Sequence, residues 1–285
     1  MRSSPVMQSG VPRTALAALI LMLTLSGLAA CGDDMRAAPD AERAATDGAA
    51  VAAGDPPVYD ARGGEFYEYR AGSRDGIGKW YMGREISHVM GHLGASWLER
   101  PARERQERTD LLIARLPAEP DYAVADIGAG TGYFAFPIAR RVPDGQVYAV
   151  DIQPEMLDHI RQRIEESGQD NVIPVLGTIQ DPGLEPGSID LAYIVDAYHE
   201  FSHPREMGMA LVRSLRPGGR LILIEYRAED RSVPIKPLHK MTEAQVRREM
   251  AAIGLRWVRT EDYLPQQHVL IFEKPDASAK DEEGR

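Results

Sequence analysis

From residue 121 to residue 275, short apolar runs alternate with amphipathic segments, and few folds satisfy that alternation. The apolar runs span 123–127, 146–151, 172–176, 189–195 and 220–226, with two more at 255–260 and 268–273. Helix-like segments at 133–142, 154–167, 205–215 and 242–253 fall between them. Strands this apolar have both faces buried, the condition of a parallel sheet covered by helices on each side. Such sheets bind ligands beyond the carboxyl ends of their strands, where chain order reverses. Pro154 opens one helix, Leu157, Ile160 and Ile164 give it an apolar face, and Gly168 caps its end. Pro217-Gly218-Gly219 separates a helix from a strand. The connection 261–267 is too short for a crossover helix, so the last two strands are expected to pair antiparallel.

The chain upstream has another texture. Arg2 and Arg13 precede an apolar stretch, 15–30, too short for a membrane span and built like a secretory signal. It ends in Leu28-Ala29-Ala30-Cys31, which resembles the lipobox of bacterial lipoproteins, where the chain is cut before a cysteine that takes lipid. The expected organisation is a signal at 1–30, a flexible tether at 31–57, a helical cap at 58–120, the sheet domain at 121–275 and a disordered tail at 276–285. Within the cap, Ile86, Val89, Met90, Leu93 and Trp97 predict a helix over 82–99, and Pro101 opens a second to about 116. The reading is of an exported protein held at the membrane through lipidated Cys31.

Composition narrows the function classes. The formal net charge of −10 and the lack of a basic stripe disfavour nucleic acid as a partner. Cys31 is the single cysteine, so an internal disulfide, a cysteine-rich zinc site and a cysteine nucleophile within the globular part are excluded.

The first strand of the sheet domain ends in Asp126-Ile127-Gly128-Ala129-Gly130-Thr131-Gly132, and a helix begins at Tyr133. Glycines let the backbone turn tightly against a ligand, and the helix start offers unpaired N–H groups. The second strand ends at Asp151, 23 residues after Gly128, where a carboxylate can accept both hydroxyls of a ribose. Strand, loop, helix, strand and acid in series are a much stronger signal than the glycines alone.

The spacing is G-x-G-x-G, and with the acid before it, the acid ending strand two and Leu215-Arg216-Pro217-Gly218-Gly219 before strand five, it resembles the class I S-adenosylmethionine-dependent methyltransferases. The likeness covers about 121–275 and looks closest to the ubiquinone/menaquinone-biosynthesis-like branch. It implies an α/β, Rossmann-like doubly wound sheet of seven strands in the order 3-2-1-4-5-7-6, the last antiparallel, with N-terminal capping helices. It implies S-adenosyl-L-methionine as cofactor. Asp126 would sit by its methionine end, and Gly128, Gly130 and Gly132 would line its methionine and ribose. Asp151 would hold the ribose hydroxyls and Ile152 would flank the adenine. Thr178 or the backbone at Ile179 would serve where the family often has an acid near the adenine amino group.

Strand four ends in Val195-Asp196-Ala197-Tyr198-His199-Glu200-Phe201, a position that in the family faces the transferred methyl. Asp196, Tyr198 and His199 are the candidate catalytic groups, His199 being the natural base near neutral pH. The same stretch spells H-E-x-x-H through His203, a zinc signature that works only on a helix. Here it follows a strand and runs into Pro204, so it is read as coincidence and no metal is assigned. Tyr81, His88 and His92, in the segment before the glycine loop, are read as lining the substrate; on the 82–99 helix, His88 and His92, with Glu85 three residues before His88, also offer metal-ligand spacing. Arg84 and Arg100 are read as surface partners of acids. Without an Asn-Pro-Pro-Tyr type motif, methylation of amino groups on bases or glutamine is disfavoured. The resulting expectation is methyl transfer to oxygen or carbon of a small-molecule or lipid-like acceptor. The alternative is a non-catalytic exported protein that binds a nucleoside-like ligand, or a metal through His88 and His92.

Overall fold

A computed structural model describes residues 66–276. The expected signal, Cys31, the tether and the tail from 277 onward lie outside these residues. Seven strands form the main sheet: β4 (Ala123–Ile127), β5 (Gln146–Asp151), β6 (Val172–Leu176), β7 (Ile189–Val195), β8 (Leu215–Tyr226), β9 (Arg256–Glu261) and β10 (Gln267–Glu273). Across the sheet they run β6-β5-β4-β7-β8-β10-β9. The first five pair in parallel, while β10 runs antiparallel to both β8 and β9. The short 261–267 connection does what its length requires. Chain order reverses between β4 and β7, and the glycine loop leaves the sheet there.

Helices α4 (Ala135–Ala139), α5 (Pro154–Ser167), α6 (Pro204–Ser214) and α7 (Glu243–Ala252) cover the sheet. The strands feed two cores by strict alternation. Val124, Leu191, Tyr193, Ile222 and Ile224 enter one, and Ala125, Ile127, Ala192, Ile194, Leu221 and Leu223 enter the other. Pro154 stands at the start of α5 and Gly168, at φ 67°, ends it. The side-chain oxygen of Thr242 caps α7 by accepting from the Gln245 N–H.

The N-terminal region departs from expectation. In place of a helix over 82–99 there is a small antiparallel sheet of β1 (Tyr67–Tyr69), β2 (Gly76–Tyr81) and β3 (Arg84–Ser87). Met82 and Gly83, both at positive φ (48° and 91°), make the two-residue turn between β2 and β3. Ile86 fits either period, but the turn and the cross-strand pairing win because Tyr67, Tyr81 and Ile86 then close into one buried cluster. Only after this hairpin come a short 3-10 turn at His92–Gly94 and the helices α1 (Ala95–Leu98), α2 (Arg103–Glu107) and α3 (Thr109–Arg115). Among the described residues, no helix is long and apolar enough to cross a membrane.

Candidate functional site

The glycine loop is shaped by backbone geometry that only glycine adopts readily. Gly128 and Gly130 have φ of 75° and 55°, and neither has room for a side chain. A Cβ on Gly128 would come within 3.0 Å of the Cβ of Ala197, and one on Gly130 within 2.6 Å of the Leu98 side chain. The loop therefore touches the turn after β7 on one side and the segment before α2 on the other. Asp151, at the end of β5, ties the loop down. One of its oxygens accepts from the Gly130 N–H at 2.9 Å and the other from the Gln153 N–H at 2.9 Å. A carboxylate oxygen has two acceptor positions, so each keeps one for a hydroxyl of a bound ligand.

Asp126 is buried beneath the loop, and its Oδ2 has no hydrogen-bond partner. Burial pushes its carboxyl up to about 7, with the Asp151 charge adding to the effect. Ile152 and Ile179 expose apolar side chains at the ends of β5 and β6. An orphaned buried oxygen, a loop closed to side chains, an acid with free lone pairs and two exposed isoleucines suit a cofactor with a cationic amino-acid end, a ribose and an adenine. The Thr178 hydroxyl accepts from the N–H groups of Gln180 and Asp181, so it is occupied in its own turn.

A covering segment lies over this edge. The Gln153 amide holds it at two points, donating to the Met90 carbonyl at 3.0 Å and accepting from the His92 N–H at 2.7 Å. Glu99 accepts from the Thr131 hydroxyl within the glycine loop. His88 is exposed, and the His92 ring lies 3.8 Å from Glu155 at the start of α5. The two histidines do not converge, because the helix that would align them is absent. Tyr81 is fully buried against Tyr67 at 5.4 Å between ring centroids and packs the small sheet.

The turn after β7 carries the other expected groups. Asp196 has φ of 50°, unusual outside glycine, and such strain persists only where the surroundings enforce it. Its Oδ2 accepts from Gln267 at 3.0 Å while Oδ1 is buried without a partner. Burial, then the Glu107 and Glu225 charges, hold its carboxyl well above the usual range. Tyr198 points away from this edge. Its hydroxyl donates to Glu249 of α7 at 2.8 Å, beside Arg84, whose guanidinium grips the same carboxylate at 2.7 and 3.1 Å. Tyr198 is thus an anchor and not an acceptor-facing group, and Arg84 is an interior ion pair and not a surface one. Arg100 likewise pairs with the buried Glu107.

His199 is buried and oriented. Its Nδ1 lies 2.7 Å from Glu225, and its Nε2 faces His239 at 3.2 Å and Glu200 at 3.6 Å. Burial disfavours the imidazolium, but Glu225 and Glu200 outweigh it and push the ring up to about 10. His203 belongs elsewhere, its ring edge-on to Tyr67, so the two histidines of the H-E-x-x-H string do not share a site. Glu225 and His239 escaped the sequence reading. Glu225 had a signal, a lone carboxylate in an otherwise apolar strand; His239 had none.

A family model described as a methyltransferase domain matches residues 124–219. An uncharacterized methyltransferase of Mycobacterium bovis is 35% identical over 108 residues, 38% of this chain and 41% of that protein. A protein-L-isoaspartate O-methyltransferase of Methanopyrus kandleri is 30% identical over 40% of this chain and 48% of its own. A demethylmenaquinone methyltransferase of Thermus thermophilus is 27% identical over 44% and 54%. The chain therefore spans about half the length, or less, of these curated relatives. Among solved structures, a SAM dependent methyltransferase from Aquifex aeolicus superposes over its whole length and 65% of this chain, with a TM-score of 0.62 and 21% identity. The [4+2]-cyclase SpnF superposes with a TM-score of 0.53 at 18% identity, over 60% of this chain and 80% of its own. With the seven-stranded sheet and its one antiparallel strand, these likenesses show that residues 124–219 are similar to a methyltransferase domain and that the chain has the fold of S-adenosylmethionine-dependent methyltransferases.

Proposed function

We propose that this chain transfers a methyl group from S-adenosylmethionine to oxygen or carbon of a small-molecule or lipid-like acceptor. When bound, the cofactor supplies a methyl carried on positively charged sulfur, so the chain's task is alignment and, for an acceptor that bears a proton, a route for that proton. The observation that carries this reading is the abutment of Ala197 on Gly128. It joins the ligand-cradling loop to the turn that holds Asp196 and His199. In this reading Asp151 takes the ribose hydroxyls, Ile152 and Ile179 flank the adenine, and Asp126 faces the cationic end. Asp196 and His199 meet the acceptor. The likeness to a demethylmenaquinone methyltransferase favours an acceptor of the quinone class. We also propose that the protein is exported and membrane-held through lipid on Cys31, in which case its cofactor has to reach it from the cytosol. Metabolic labelling with a radioactive fatty acid tests this, and an unlabelled soluble protein would overturn it.

Calorimetric titration of S-adenosylmethionine tests the main reading. Micromolar binding is expected, at least tenfold weaker in Asp151→Ala. Equal affinity in the two proteins would remove the ribose assignment. No binding by the unaltered chain would remove the methyl-transfer reading itself.

A further inference from the structure

Three ligand atoms converge beside the turn after β7 in a way that methyl transfer does not by itself require. The Nε2 of His199, the Nδ1 of His239 and one oxygen of Glu200 form a triangle with sides of 3.2, 3.5 and 3.6 Å. Ligands about 2.1 Å from a tetrahedral ion lie about 3.4 Å from one another. The triangle is one face of such a site, already assembled.

The surroundings orient two of the three atoms. Glu225, fully buried at the end of β8, takes the Nδ1 side of His199 and leaves Nε2 aimed at the centre. The other oxygen of Glu200 accepts from the Met90 N–H at 3.0 Å. Carboxylate partners of this kind fix the tautomer and direction of metal-binding imidazoles. Arg84 comes near, but its guanidinium is held by Glu249 and reaches only the carbonyl of His199. A cation held there would face the carboxylates of Glu200 and, behind His199, Glu225. The side chains of His199 and Glu200 are 2% and 13% exposed, and that of His239 is 23% exposed, so the fourth position opens toward His239.

We propose that His199, Glu200 and His239 bind one divalent first-row transition cation, of the zinc or iron type, with an open position for an oxygen of the acceptor. Two imidazoles and one carboxylate select such ions over magnesium or calcium, which prefer all-oxygen shells. The cation site stands on geometry alone. Its service to the acceptor rests on the methyl-transfer reading, in which His199 then acts as a ligand and not as a free base. Without a cation, the two facing nitrogens of His199 and His239 share a proton, and that is the competing account.

The test uses the tag-free full chain, stripped of metal and titrated with cobalt(II), whose visible absorption reports its coordination. One equivalent should bind with the intense bands of a four-coordinate ion, and azide should shift those bands through the open position. His239→Ala should weaken binding at least a hundredfold, and Glu225→Gln about ten- to hundredfold with the bands retained. His88→Ala and His92→Ala should change nothing. Absence of cobalt binding in the folded chain would overturn the proposal, as would binding indifferent to His239→Ala. Titrating S-adenosylmethionine into the same stripped protein separates the two readings. Cofactor binding without cobalt binding defeats only the metal site, and the reverse defeats only methyl transfer.

Discussion

The two halves of the functional edge are built by different means. The half that would hold the cofactor comes mostly from one stretch, Asp126 to Ile152, with Ile179 added from beyond β6, and its loop is tied by backbone N–H groups and by glycines at positive φ. The half that would hold the acceptor is assembled from Arg84, Tyr198, His199, Glu225, His239 and Glu249, with 165 positions between Arg84 and its partner Glu249. Backbone constraints select residue types locally, whereas an ion pair asks only that two side chains meet wherever the fold brings them.

The largest expected effect tests whether the distributed half depends on its central pair. Arg84→Ala leaves the fully buried Glu249 without its cation and should cost about 3–5 kcal/mol in urea unfolding. Replacing both partners by methionine should return much of that loss. A cost near zero for the single change would show that the hairpin is held by apolar packing alone.

Next is a pH dependence confined to the contiguous half. The folded carboxyl of Asp126 titrates near 7, above its unfolded value, so the folded state favours the protonated form. Its contribution is full at acid pH and is lost as pH rises through about 7. Asp126→Asn should therefore gain on the parent between pH 4 and 8, by up to roughly 3–4 kcal/mol at about 1.4 kcal/mol per unit. Parallel stability profiles would mean that this carboxylate ionises as freely in the fold as out of it.

Tyr198→Phe removes one bond to Glu249 while keeping the ring, and a loss of about 1–2 kcal/mol is expected in thermal or urea unfolding. Turnover at saturating cofactor should hold, since the hydroxyl faces α7; a fall in turnover without a fall in stability would return Tyr198 to the reacting centre. The smallest effect belongs to His88→Ala, an exposed loop position, expected to stay within about 0.5 kcal/mol and to leave turnover unchanged. A large loss of activity there would mean that the covering segment closes further over the edge.

The same contrast governs what could be read from the sequence. The α/β alternation, the loop, Asp151 and the antiparallel final pair were legible, because periodicity, glycine spacing and connection length are local properties. His199 was found because it directly follows a strand end. The N-terminal hairpin was missed: Ile86, Val89, Met90 and Leu93 fit a helical period, and the turn residues Met82 and Gly83 carry only one glycine between them. Tyr198 and Tyr81 were assigned to the site because a tyrosine near a strand end reads the same whether it faces solvent or core. Only Glu249 and Tyr67 in the folded chain decide between those directions.

Glu249 carries a consequence for how such a chain can change over generations. Its two oxygens serve Arg84 twice, Tyr198 and Gln245 at once. Replacing Arg84 or Glu249 alone strands its buried partner, so these two positions should vary together among descendants of this fold, whereas Tyr198 can lose its hydroxyl and leave the pair intact. The glycine loop is tied mainly by its own backbone and by Asp151, though Gly128 lies against Ala197 and Gly130 against Leu98, so it constrains those two neighbours as well.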